Sequence, residues 1–441
     1  MRTFLLLKKL PVRSYYEMRF PMQKLISAFV LGISLFLLFL PLTGHLESVI
    51  CQKAPYHSVS QIPSPAAKTY TGKNFSIISP QKAPASMHAK AYCLFDADSR
   101  RTLLGSNEDK TMPMASTTKI MTCLLAIEKG NLSSKVKVSS YAASMPDVQL
   151  NMQTGDSFYL KDLLYSLMLE SHNDTAVAIA EHIGGSVEGF ARLMNQRAQE
   201  LGCSHTHFVT PNGLDAKEHY TTARELCLIA SYAIQNKTFC KIISTPSYSF
   251  QDCSGKKSYS VHNHDAFLTS YPGALGIKTG FTGNAGYCFC GAARRNGHTL
   301  ISAVLACGWP PHKSYKWTDT KTLMDYGFAN FQTVSVDTPA IPKKLPVLSG
   351  TKYLISVKRT KHKKVSLPLS ETDFLTVSLR LQTPLKAPIR QGDIIAQEEY
   401  SLNGKVLYRF PVTAKESVPK RTLSYYQRII KQLFLLHCLT D

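Results

Sequence analysis

The order of strand-like and helix-like segments between residues 89 and 333 constrains the fold of this chain more than any other feature. An apolar run, a polar turn and a second short run predict a β-hairpin over residues 91–104. Helical periodicity dominates residues 114–128 and 160–234, and strand-like runs return over residues 286–306. Strands at both ends of one block have to meet in one antiparallel sheet, packed against the helices between them. This order predicts an α+β fold rather than alternating βαβ units.

The chain changes character on both sides of this block, which we place at residues 89–333. An apolar run over residues 25–42 follows Lys24, which is typical of a secretory signal, and its length also fits an uncleaved membrane anchor. We therefore expect a signal peptide or anchor over residues 1–44 and a Pro-, Ser- and Lys-rich linker over residues 45–88. Short strand-like runs separated by Gly, Pro and Lys predict a small all-β domain over residues 334–419.

Residues 420–441 carry apolar side chains at helical spacing, with basic and polar side chains toward the other side. This pattern predicts a basic amphipathic helix that associates with a membrane surface. A terminal helix docked on its own domain would show the same periodicity. The apolar run near the N-terminus favours the membrane, and it predicts an exported protein, periplasmic or on the outer face of the cytoplasmic membrane.

The formal net charge is +21, and about half of that excess lies beyond residue 341. A basic surface attracts nucleic acid, anionic lipid or an acidic polymer alike. The sequence lacks zinc-finger spacing, an RNP-like aromatic strand and heptads after a basic region, so we expect no nucleic-acid partner. Membrane or cell-wall polymer is the better interpretation.

Cysteine and histidine spacings argue against metal and redox chemistry. The eleven cysteines show no framework spacing, so we expect most of them to be buried free thiols. The pairs His205/His207 and His262/His264 lack the helical spacing and the nearby carboxylates of a zinc site. We predict neither a metal nor a cofactor.

Three short motifs occur in one order: Ser-Thr-Thr-Lys from Ser116, Ser-His-Asn from Ser171, and Lys-Thr-Gly from Lys278. Each is weak alone, since Ser-x-x-Lys occurs at five other places. Context distinguishes the first motif, because Ser116 opens an apolar helical run in which Ser116 and Lys119 share one face. The alternatives are a helix cap with a surface lysine, a polar helix junction with an exposed His172, and a turn that enters a strand.

The chemistry of these side chains fits acyl transfer. A serine hydroxyl needs an adjacent base, and a desolvated lysine has a pKa low enough to act as one. Backbone N–H groups at a helix start stabilise an oxyanion. Ser171 offers a hydroxyl for proton relay and Asn173 an amide for a substrate backbone. The segment from Lys278 offers a cation, a hydroxyl and a bare backbone, which suit a carboxylate-ended peptide along an edge strand.

Longer segments around these motifs resemble one family. ASTTKIMT over residues 115–122, THFVTPNGLD over 206–215, HYTTAREL over 219–226 and GIKTGFTGNAGYCFCGAARRNG over 276–297 are similar to the serine D-alanyl-D-alanine carboxypeptidases, the low-molecular-mass penicillin-binding proteins of the peptidase S11 type. The likeness covers about residues 89–331. It implies a serine β-lactamase/DD-peptidase-like catalytic domain, followed by a small all-β domain and a membrane-associating helix.

The resemblance implies a mechanism and its catalytic residues. Ser116 would attack the carbonyl between the two D-alanines that end a peptidoglycan stem pentapeptide, and Lys119 would take its proton. Ser171 would help to return a proton to the departing D-Ala, and water would release the shortened peptide. β-Lactams would acylate Ser116 by the same path and act as covalent inhibitors.

The resemblance also implies the substrate-binding residues. Asn173 would orient the acyl part, Lys278 would supply a positive field, and Thr279 would bind the terminal carboxylate. Gly280 would keep the strand free of a side chain. The oxyanion would lie between backbone N–H groups of the nucleophile and of Phe281.

Two residues depart from the family pattern. His172 stands where glycine is common, which implies a narrower cleft or an altered proton relay. Lys316 stands about where relatives carry an arginine that helps to hold the substrate carboxylate. Lysine acts as a point charge without the bidentate fork of arginine, so we expect weaker binding of the substrate carboxylate.

Other functions use similar residues. A β-lactamase of class A would need a glutamate to activate water, and we find no counterpart loop between Ser171 and Lys278. A DD-endopeptidase or transpeptidase would use the same motifs. A non-catalytic peptidoglycan-binding scaffold would not need all of the motif residues intact.

Overall fold

The structure is a computed structural model that describes residues 67–71, 81–362, 364–382 and 384–439, with side chains up to residue 432 in the last helix. The predicted signal or anchor over residues 1–44 lies outside the described residues, as does most of the predicted linker. Four residues of that linker form strand β1 (Lys68–Thr71).

The first domain consists of strands at both ends of a helical block, in the following chain order: β2 (Ala91–Asp96), β3 (Thr102–Ser106), a 3-10 helix (Ala115–Thr118), α1 (Lys119–Lys129), β4 (Lys135–Lys137), α2 (Ser140–Ala143), β5 (Ser157–Tyr159), α3 (Leu160–Leu169), α4 (Asn173–Gly184), α5 (Val187–Glu200), α6 (Ala223–Ala233), α7 (Lys237–Ile243), β6 (Ser247–Gln251), β7 (Ser258–His262), α8 (Phe267–Ser270), β8 (Ala274–Thr282), β9 (Gly286–Arg295), β10 (His298–Leu305) and α9 (Tyr315–Asn330).

The main sheet of this domain is antiparallel, with strand order β3-β2-β10-β9-β8. Strand β2 from the start of the domain pairs with β10 from its end, from Ala91 opposite Leu305 to Asp96 opposite Leu300. The predicted α+β fold is therefore confirmed, since one sheet joins both ends of the helical block. Strand β8 is left at one edge, where its outer side is open to another segment.

Helix α1 lies inside the domain and carries the first motif at its start. Its residues from Lys119 to Ala126 are all buried, including Leu124 and Leu125. A helix that is apolar on nearly all sides has to be surrounded by protein. It packs against α3, α4 and α6, and each fully buried leucine contributes about 1.5–3 kcal/mol of transfer free energy. The start of α1 is thus held rigidly.

The second domain is built from short strands, in the following chain order: β11 (Gln332–Ser335), β12 (Lys344–Leu348), β13 (Leu354–Arg359), β14 (Ser366–Leu369), β15 (Phe374–Leu381), β16 (Leu385–Lys386), β17 (Ile394–Leu402) and β18 (Lys405–Ala414). Its large sheet has the order β1-β15-β17-β18-β13-β12-β16, and β11 pairs with β14. The predicted all-β character of this domain is confirmed. The domain boundary predicted at residues 333/334 stays a proposal; it falls within β11, the strand that follows α9.

Strand β1 joins the second domain across a long sequence separation. Lys68 pairs with Val377 and Thr71 with Phe374, in an antiparallel ladder at the edge of the large sheet. Lys68 Nζ also donates to Asp337 Oδ2 at 2.7 Å. Part of the predicted linker is therefore fastened to the second domain rather than to the catalytic one.

The two domains meet near the turn between β2 and β3. Arg101 donates to the backbone oxygen of Pro368 at 2.5 Å and to Asp373 Oδ1 at 3.1 Å. Tyr408 Oη donates to the backbone oxygen of Ser99 at 3.1 Å. This contact lies at the β3 side of the catalytic sheet, which is the side opposite to the open edge of β8.

The last described element is helix α10 (Leu423–Leu439). Leu423 is 48% exposed and Ile430 is 40% exposed, and the other side chains described in this helix are exposed or half-buried. They therefore do not pack in the way that a docked terminal helix requires. Among the described residues, no helix has the length and apolar character needed to cross a bilayer.

The nine cysteines whose side chains the structure describes are free thiols, and seven of them are buried. Burial raises the pKa of the Cys203 and Cys288 thiols to about 12. These thiols stay protonated near neutral pH, which agrees with the prediction of buried structural cysteines.

Candidate active site

The first motif lies in the 3-10 helix that leads into α1, and its backbone is fixed from several sides. Ala115, directly before Ser116, has a φ of +47°, a conformation that non-glycine residues seldom adopt. Thr118 Oγ1 donates to the Ala115 oxygen at 2.8 Å. A Cβ on Gly213 would lie 2.0 Å from that same oxygen, so only glycine fits there. Ser116 is thereby held at a defined position.

Lys119 lies fully buried beside the serine. Its Nζ is 2.9 Å from Ser116 Oγ, 2.9 Å from Asn173 Oδ1 and 2.6 Å from the backbone oxygen of Asn212. The alternative of a helix cap with a surface lysine is therefore wrong. Burial lowers the pKa of Lys119 well below its usual value, and the positive charge of Lys278 lowers this pKa further.

The surroundings of Lys119 suit a neutral amine. Such an amine has two N–H groups and one lone pair. The Asn173 and Asn212 oxygens are two acceptors for the N–H groups, which leaves the lone pair for the hydroxyl of Ser116. The arrangement can therefore take a proton from the serine as the serine attacks an electrophile.

Two neighbours of the first motif were missed by sequence reasoning. Asn212 contributes a backbone oxygen, which no residue type signals, although it lies in a Pro-Asn-Gly turn within a family-like segment. His219 is buried and its Nε2 is 2.9 Å from Thr118 Oγ1, while its Nδ1 accepts from the Val209 N–H at 2.9 Å. Burial lowers the pKa of His219 to about 4, so it is a neutral support for Thr118.

The second motif forms the junction between α3 and α4. Asn173 opens α4; besides accepting from Lys119, it donates through Nδ2 to the backbone oxygens of Pro146 and Asp147 at 3.1 Å each. Its amide therefore links the buried lysine to the loop over residues 144–152. The Ser171 side chain is oriented by a backbone φ of +73°, and among the described residues its buried Oγ has no hydrogen-bond partner.

His172 is buried within this junction, with only 4% of its surface exposed. Its ring contacts Ser166 and Glu170. The alternative of an exposed His172 is therefore wrong. The predicted narrowing of the cleft is not supported either, because the ring packs into the junction.

The third motif lies within the edge strand β8, so the alternative of a turn that enters a strand is wrong. A Cβ on Gly280 would lie 2.9 Å from the backbone nitrogen of Ser116 and 3.1 Å from that of Thr117. Glycine at this position lets β8 run directly beside the nucleophile. Thr279 is half-buried next to it, and Phe281 is 44% exposed with its ring against Tyr287.

Lys278 is buried, and its Nζ donates to the backbone oxygen of Thr279 at 3.2 Å. Burial lowers the pKa of Lys278 to about 8, while the carboxylate of Asp265 acts in the opposite direction. The lysine is thus cationic at neutral pH and loses its charge in mild alkali.

The structure brings Ser116, Lys119 and the second and third motifs together around one point at the edge of the sheet.

Lys316 has a different environment from the one expected of a carboxylate-binding residue. Its buried Nζ donates to the backbone oxygen of Lys313 at 2.8 Å and lies 4.7 Å from the ring centroids of Tyr287 and Trp317. Burial lowers the pKa of Lys316 to about 8. Its part in holding a substrate carboxylate stays a prediction.

Residues 78–308 match the family model described as D-alanyl-D-alanine carboxypeptidase, which covers all three motifs. The chain belongs to this family. Residues 328–420 match the model described as the C-terminal domain of penicillin-binding protein 5. The resemblance predicted from the sequence is confirmed.

Individual relatives of this carboxypeptidase-family chain are similar over most of its length. The D-alanyl-D-alanine carboxypeptidase DacF of Bacillus subtilis is 31% identical over 348 residues, 75% of this chain and 86% of that protein. DacC of Escherichia coli, a D-alanyl-D-alanine carboxypeptidase, is 29% identical over 350 residues, 76% of this chain and 85% of the relative. Penicillin-binding protein 5 from Haemophilus influenzae superposes with a TM-score of 0.64 at 27% identity, covering 77% of this chain and all of that one.

Another solved relative is a Streptomyces K15 DD-transpeptidase, with a TM-score of 0.53 and 32% identity over 56% of this chain and 100% of that protein. Both names, carboxypeptidase and transpeptidase, thus occur among the relatives. The family thus defines a serine-type hydrolase with a catalytic domain followed by a β domain.

Proposed function

We propose that this chain is a D-alanyl-D-alanine carboxypeptidase that removes the terminal D-Ala from peptidoglycan stem pentapeptides through an acyl-enzyme on Ser116. The observation that carries the proposal is the buried Lys119 Nζ, 2.9 Å from the serine oxygen. As a neutral amine, Lys119 has two oxygen acceptors for its N–H groups, which leaves its lone pair for the proton of the hydroxyl. Nucleophile, base and substrate-binding strand lie within one site.

In the acylation step, Ser116 Oγ bonds to the carbonyl carbon of the penultimate D-Ala, and its proton moves to Lys119 Nζ. The carbonyl oxygen becomes an oxyanion, for which we propose the backbone N–H groups of Ser116 and Phe281 as donors. The C–N bond to the last D-Ala then breaks. Ser171 relays the proton from Lys119 to the departing nitrogen, so free D-Ala leaves with its amine.

In the deacylation step, water bonds to the acyl carbon and gives a proton to Lys119. The ester bond to Ser116 breaks, and the proton returns to Oγ. The products are a peptide shortened by one residue and the free enzyme. A β-lactam would acylate Ser116 by the same first step, and its opened ring would stay attached.

Substrate binding is proposed to use the edge of β8. The cationic Lys278 and the hydroxyl of Thr279 suit the terminal carboxylate, and the bare backbone at Gly280 admits the peptide. We propose that Asn173 orients the acyl part. Both ends of its amide are engaged without substrate, so it also holds Lys119 in place.

Release of D-Ala tests the proposed function. The full chain should release free D-Ala from a peptide that ends in D-Ala-D-Ala, in equal amount to the shortened peptide, and not from the matching L-Ala-L-Ala peptide. The reaction should continue without an added amine, because water is the acceptor. If a folded chain that a penicillin acylates releases D-Ala only when an amine acceptor is present, the carboxypeptidase proposal is wrong and the chain is a transpeptidase.

The pH dependence of the reaction follows from two buried lysines. Lys119 has to be neutral to act as a base, so kcat/KM should rise with pH as this group loses its proton. Lys278 has to be charged to bind the carboxylate, so kcat/KM should fall above about pH 8, the pKa of this lysine. A bell-shaped profile is expected for D-Ala release.

Two variants assign the alkaline limb of this profile. Lys278→Arg should move the limb upward, because a guanidinium stays charged over the whole range. Lys316→Arg is the matched comparison, since burial also lowers the pKa of Lys316 to about 8. A limb that shifts only in Lys316→Arg would assign the carboxylate interaction to that residue instead.

We propose that the protein is exported and that α10 holds it on an anionic membrane surface. The exposed Leu423, Tyr426 and Ile430 are three and four residues apart, which puts them on one face of the helix. Basic residues follow on its other side. Apolar burial combined with attraction to anionic lipid is how interfacial helices bind.

The loop between β12 and β13 adds to this surface. Arg421 donates to the backbone oxygen of Gly350 at 2.6 Å, and its guanidinium lies 4.6 Å from the ring centroid of Tyr353. Tyr353 is 54% exposed, and the neighbouring Leu354 is exposed as well. Arg421 therefore links the segment just before α10 to this loop, which carries exposed apolar side chains of its own.

Vesicle binding tests the membrane proposal. The double variant Tyr426→Ser/Ile430→Ser should weaken binding to vesicles that contain anionic lipid by roughly tenfold or more, because each lost apolar side chain removes about 1 kcal/mol. Ile394→Ser is the control, since Ile394 is an exposed apolar residue of strand β17 and not of α10. Equal binding of both variants and the unaltered chain would contradict the proposal.

A further inference from the structure

His172 occupies the middle of the second motif and joins both helices of the junction. Its Nδ1 lies 2.8 Å from Ser166 Oγ in the last turn of α3. Ser166 Oγ lies 2.8 Å from Thr175 Oγ1 in the first turn of α4. On the other side of the ring, Nε2 lies 3.1 Å from Glu170 Oε2.

These contacts define one consistent pattern of donors and acceptors. The Glu170 carboxylate accepts from the Nε2–H group of His172. Nδ1 then accepts from the hydroxyl of Ser166, which in turn accepts from the hydroxyl of Thr175. A neutral imidazole satisfies every one of these groups, and we assign this tautomer from the hydrogen-bond network.

Glu170 is itself held by a hydrogen bond from another element. Its Oε1 accepts from the backbone N–H of His262 at 2.8 Å, at the end of strand β7. The residue before Ser171 is thus fastened to a β-ribbon, and the residue after it is fastened to two helices. The imidazole of His172 takes part in both connections.

Ser171, between these two anchors, has a backbone conformation that is costly for a serine. Its φ of +73° lies in the left-handed region, which costs a non-glycine residue on the order of 1–3 kcal/mol. Such a conformation persists only where its surroundings impose it. The buried Oγ has no partner among the described residues, so only the backbone sets the direction of this hydroxyl.

We infer that His172 is a positioning residue for the second motif, whose imidazole clamps the junction and thereby fixes where Asn173 meets the buried lysine and where the Ser171 hydroxyl lies. The inference rests on the proposed function, because it takes acyl transfer as the reaction that these two residues serve. His172 acts through its neighbours and does not touch the reacting atoms. A glycine at position 172 would lack these side-chain contacts and would leave the junction between α3 and α4 without the clamp.

Burial favours the neutral form of His172, and the charged groups around the ring act on its pKa in both directions. Lys119 and Lys278 act on it with positive charge, while Asp174 and Glu170 act with negative charge. Burial is the largest cause, and it lowers the pKa of His172. A neutral ring holds the junction without adding positive charge beside the base.

Acylation by a penicillin and release of D-Ala, both measured on the full chain, test this inference. His172→Ala should lower the acylation rate per active site and kcat by about 100-fold, since a displacement of about 1 Å costs this much. KM should change by less than about threefold. Given enough reaction time, every molecule of the His172→Ala variant should still become acylated. His172→Asn should be acylated at least about tenfold faster than His172→Ala, because the side-chain oxygen of asparagine can accept a hydrogen bond from Ser166.

Two further variants keep the test decisive. Ser166→Ala removes one contact of the ring and should slow acylation by about tenfold, which tests the clamp even if His172→Ala does not fold. His182→Ala is the matched control, because His182 lies exposed in the last turn of the same helix α4, where its Nε2 lies 2.8 Å from Ser134 Oγ. It should act like the unaltered chain.

The acylation rate per active site shows whether His172 positions the second motif or only stabilises the fold. If His172→Ala lowers the melting temperature but leaves the acylation rate per acylated molecule unchanged, the inference is wrong. An unaltered chain that neither releases D-Ala nor reacts with a penicillin would overturn the proposed function, and this inference with it. The two failures differ, because the first is seen only in the variants.

Discussion

Replacing Lys119 by methionine is expected to slow acylation of Ser116 by about 10³–10⁴-fold, the usual contribution of a well-placed general base. Methionine fills nearly the same volume and needs no hydrogen bond. It leaves the oxygens of Asn173 and Asn212 without their donor, at a cost of about 1–3 kcal/mol in stability for a buried acceptor. The free energy of unfolding should therefore fall modestly while the reaction almost stops. Stopped-flow acylation by a penicillin measures the rate.

Two further variants separate the base from the positive charge. Lys119→Arg keeps a cation but stays protonated, so it should be as slow as the methionine variant. Lys137→Met is the control, because Lys137 ends another Ser-x-x-Lys sequence and is exposed. An arginine variant that acylates at the rate of the unaltered chain would show that the charge of Lys119, rather than its lone pair, drives the reaction.

Replacing Ser116 by alanine should lower kcat for D-Ala release by roughly 10⁴-fold or more and abolish covalent penicillin binding, as expected for loss of a nucleophile. Only one oxygen atom is removed, and the backbone of the 3-10 helix is held by Thr118 and by the close approach of Gly213. The folded structure and the affinity for a D-Ala-D-Ala peptide should therefore persist. Isothermal titration with the peptide measures that affinity without turnover.

Ser134→Ala is the matched control for this variant, because Ser134 opens another Ser-x-x-Lys sequence, in which both lysines are exposed. It should release D-Ala at the rate of the unaltered chain. A Ser116→Ala protein that still forms a stable adduct with penicillin would assign the nucleophile to another residue.

The architecture of the catalytic domain could be predicted because its signal is periodic. Apolar alternation marked the hairpin and the returning strands, and helical spacing marked α1, whose buried face is nearly continuous. The motifs could be grouped because their side chains carry recognisable chemistry. The joining of β2 to β10 then follows from the need to bury one face of each strand.

Other features had no comparable signal. The acceptor at Asn212 is a backbone oxygen, which every residue has. Strand β1 is four residues long and pairs with β15 about three hundred positions later, so its partner cannot be found from local pattern. The motif that contains Gly280 was also compatible with a turn that enters a strand, whereas Gly280 lies within β8, where its missing side chain lets the strand pass close to Ser116. The burial of His172 depends on contacts with Ser166 and Glu170 that only the folded chain brings together.

The most direct test of the central claim is to find which residue a penicillin acylates. The full chain would be reacted briefly with a penicillin, denatured in acid and digested with trypsin, and fragment masses would locate the adduct. The account predicts one adduct, on Ser116 within the peptide of residues 111–119. An adduct on Ser171 or on any other residue, from a chain that releases D-Ala, would contradict it.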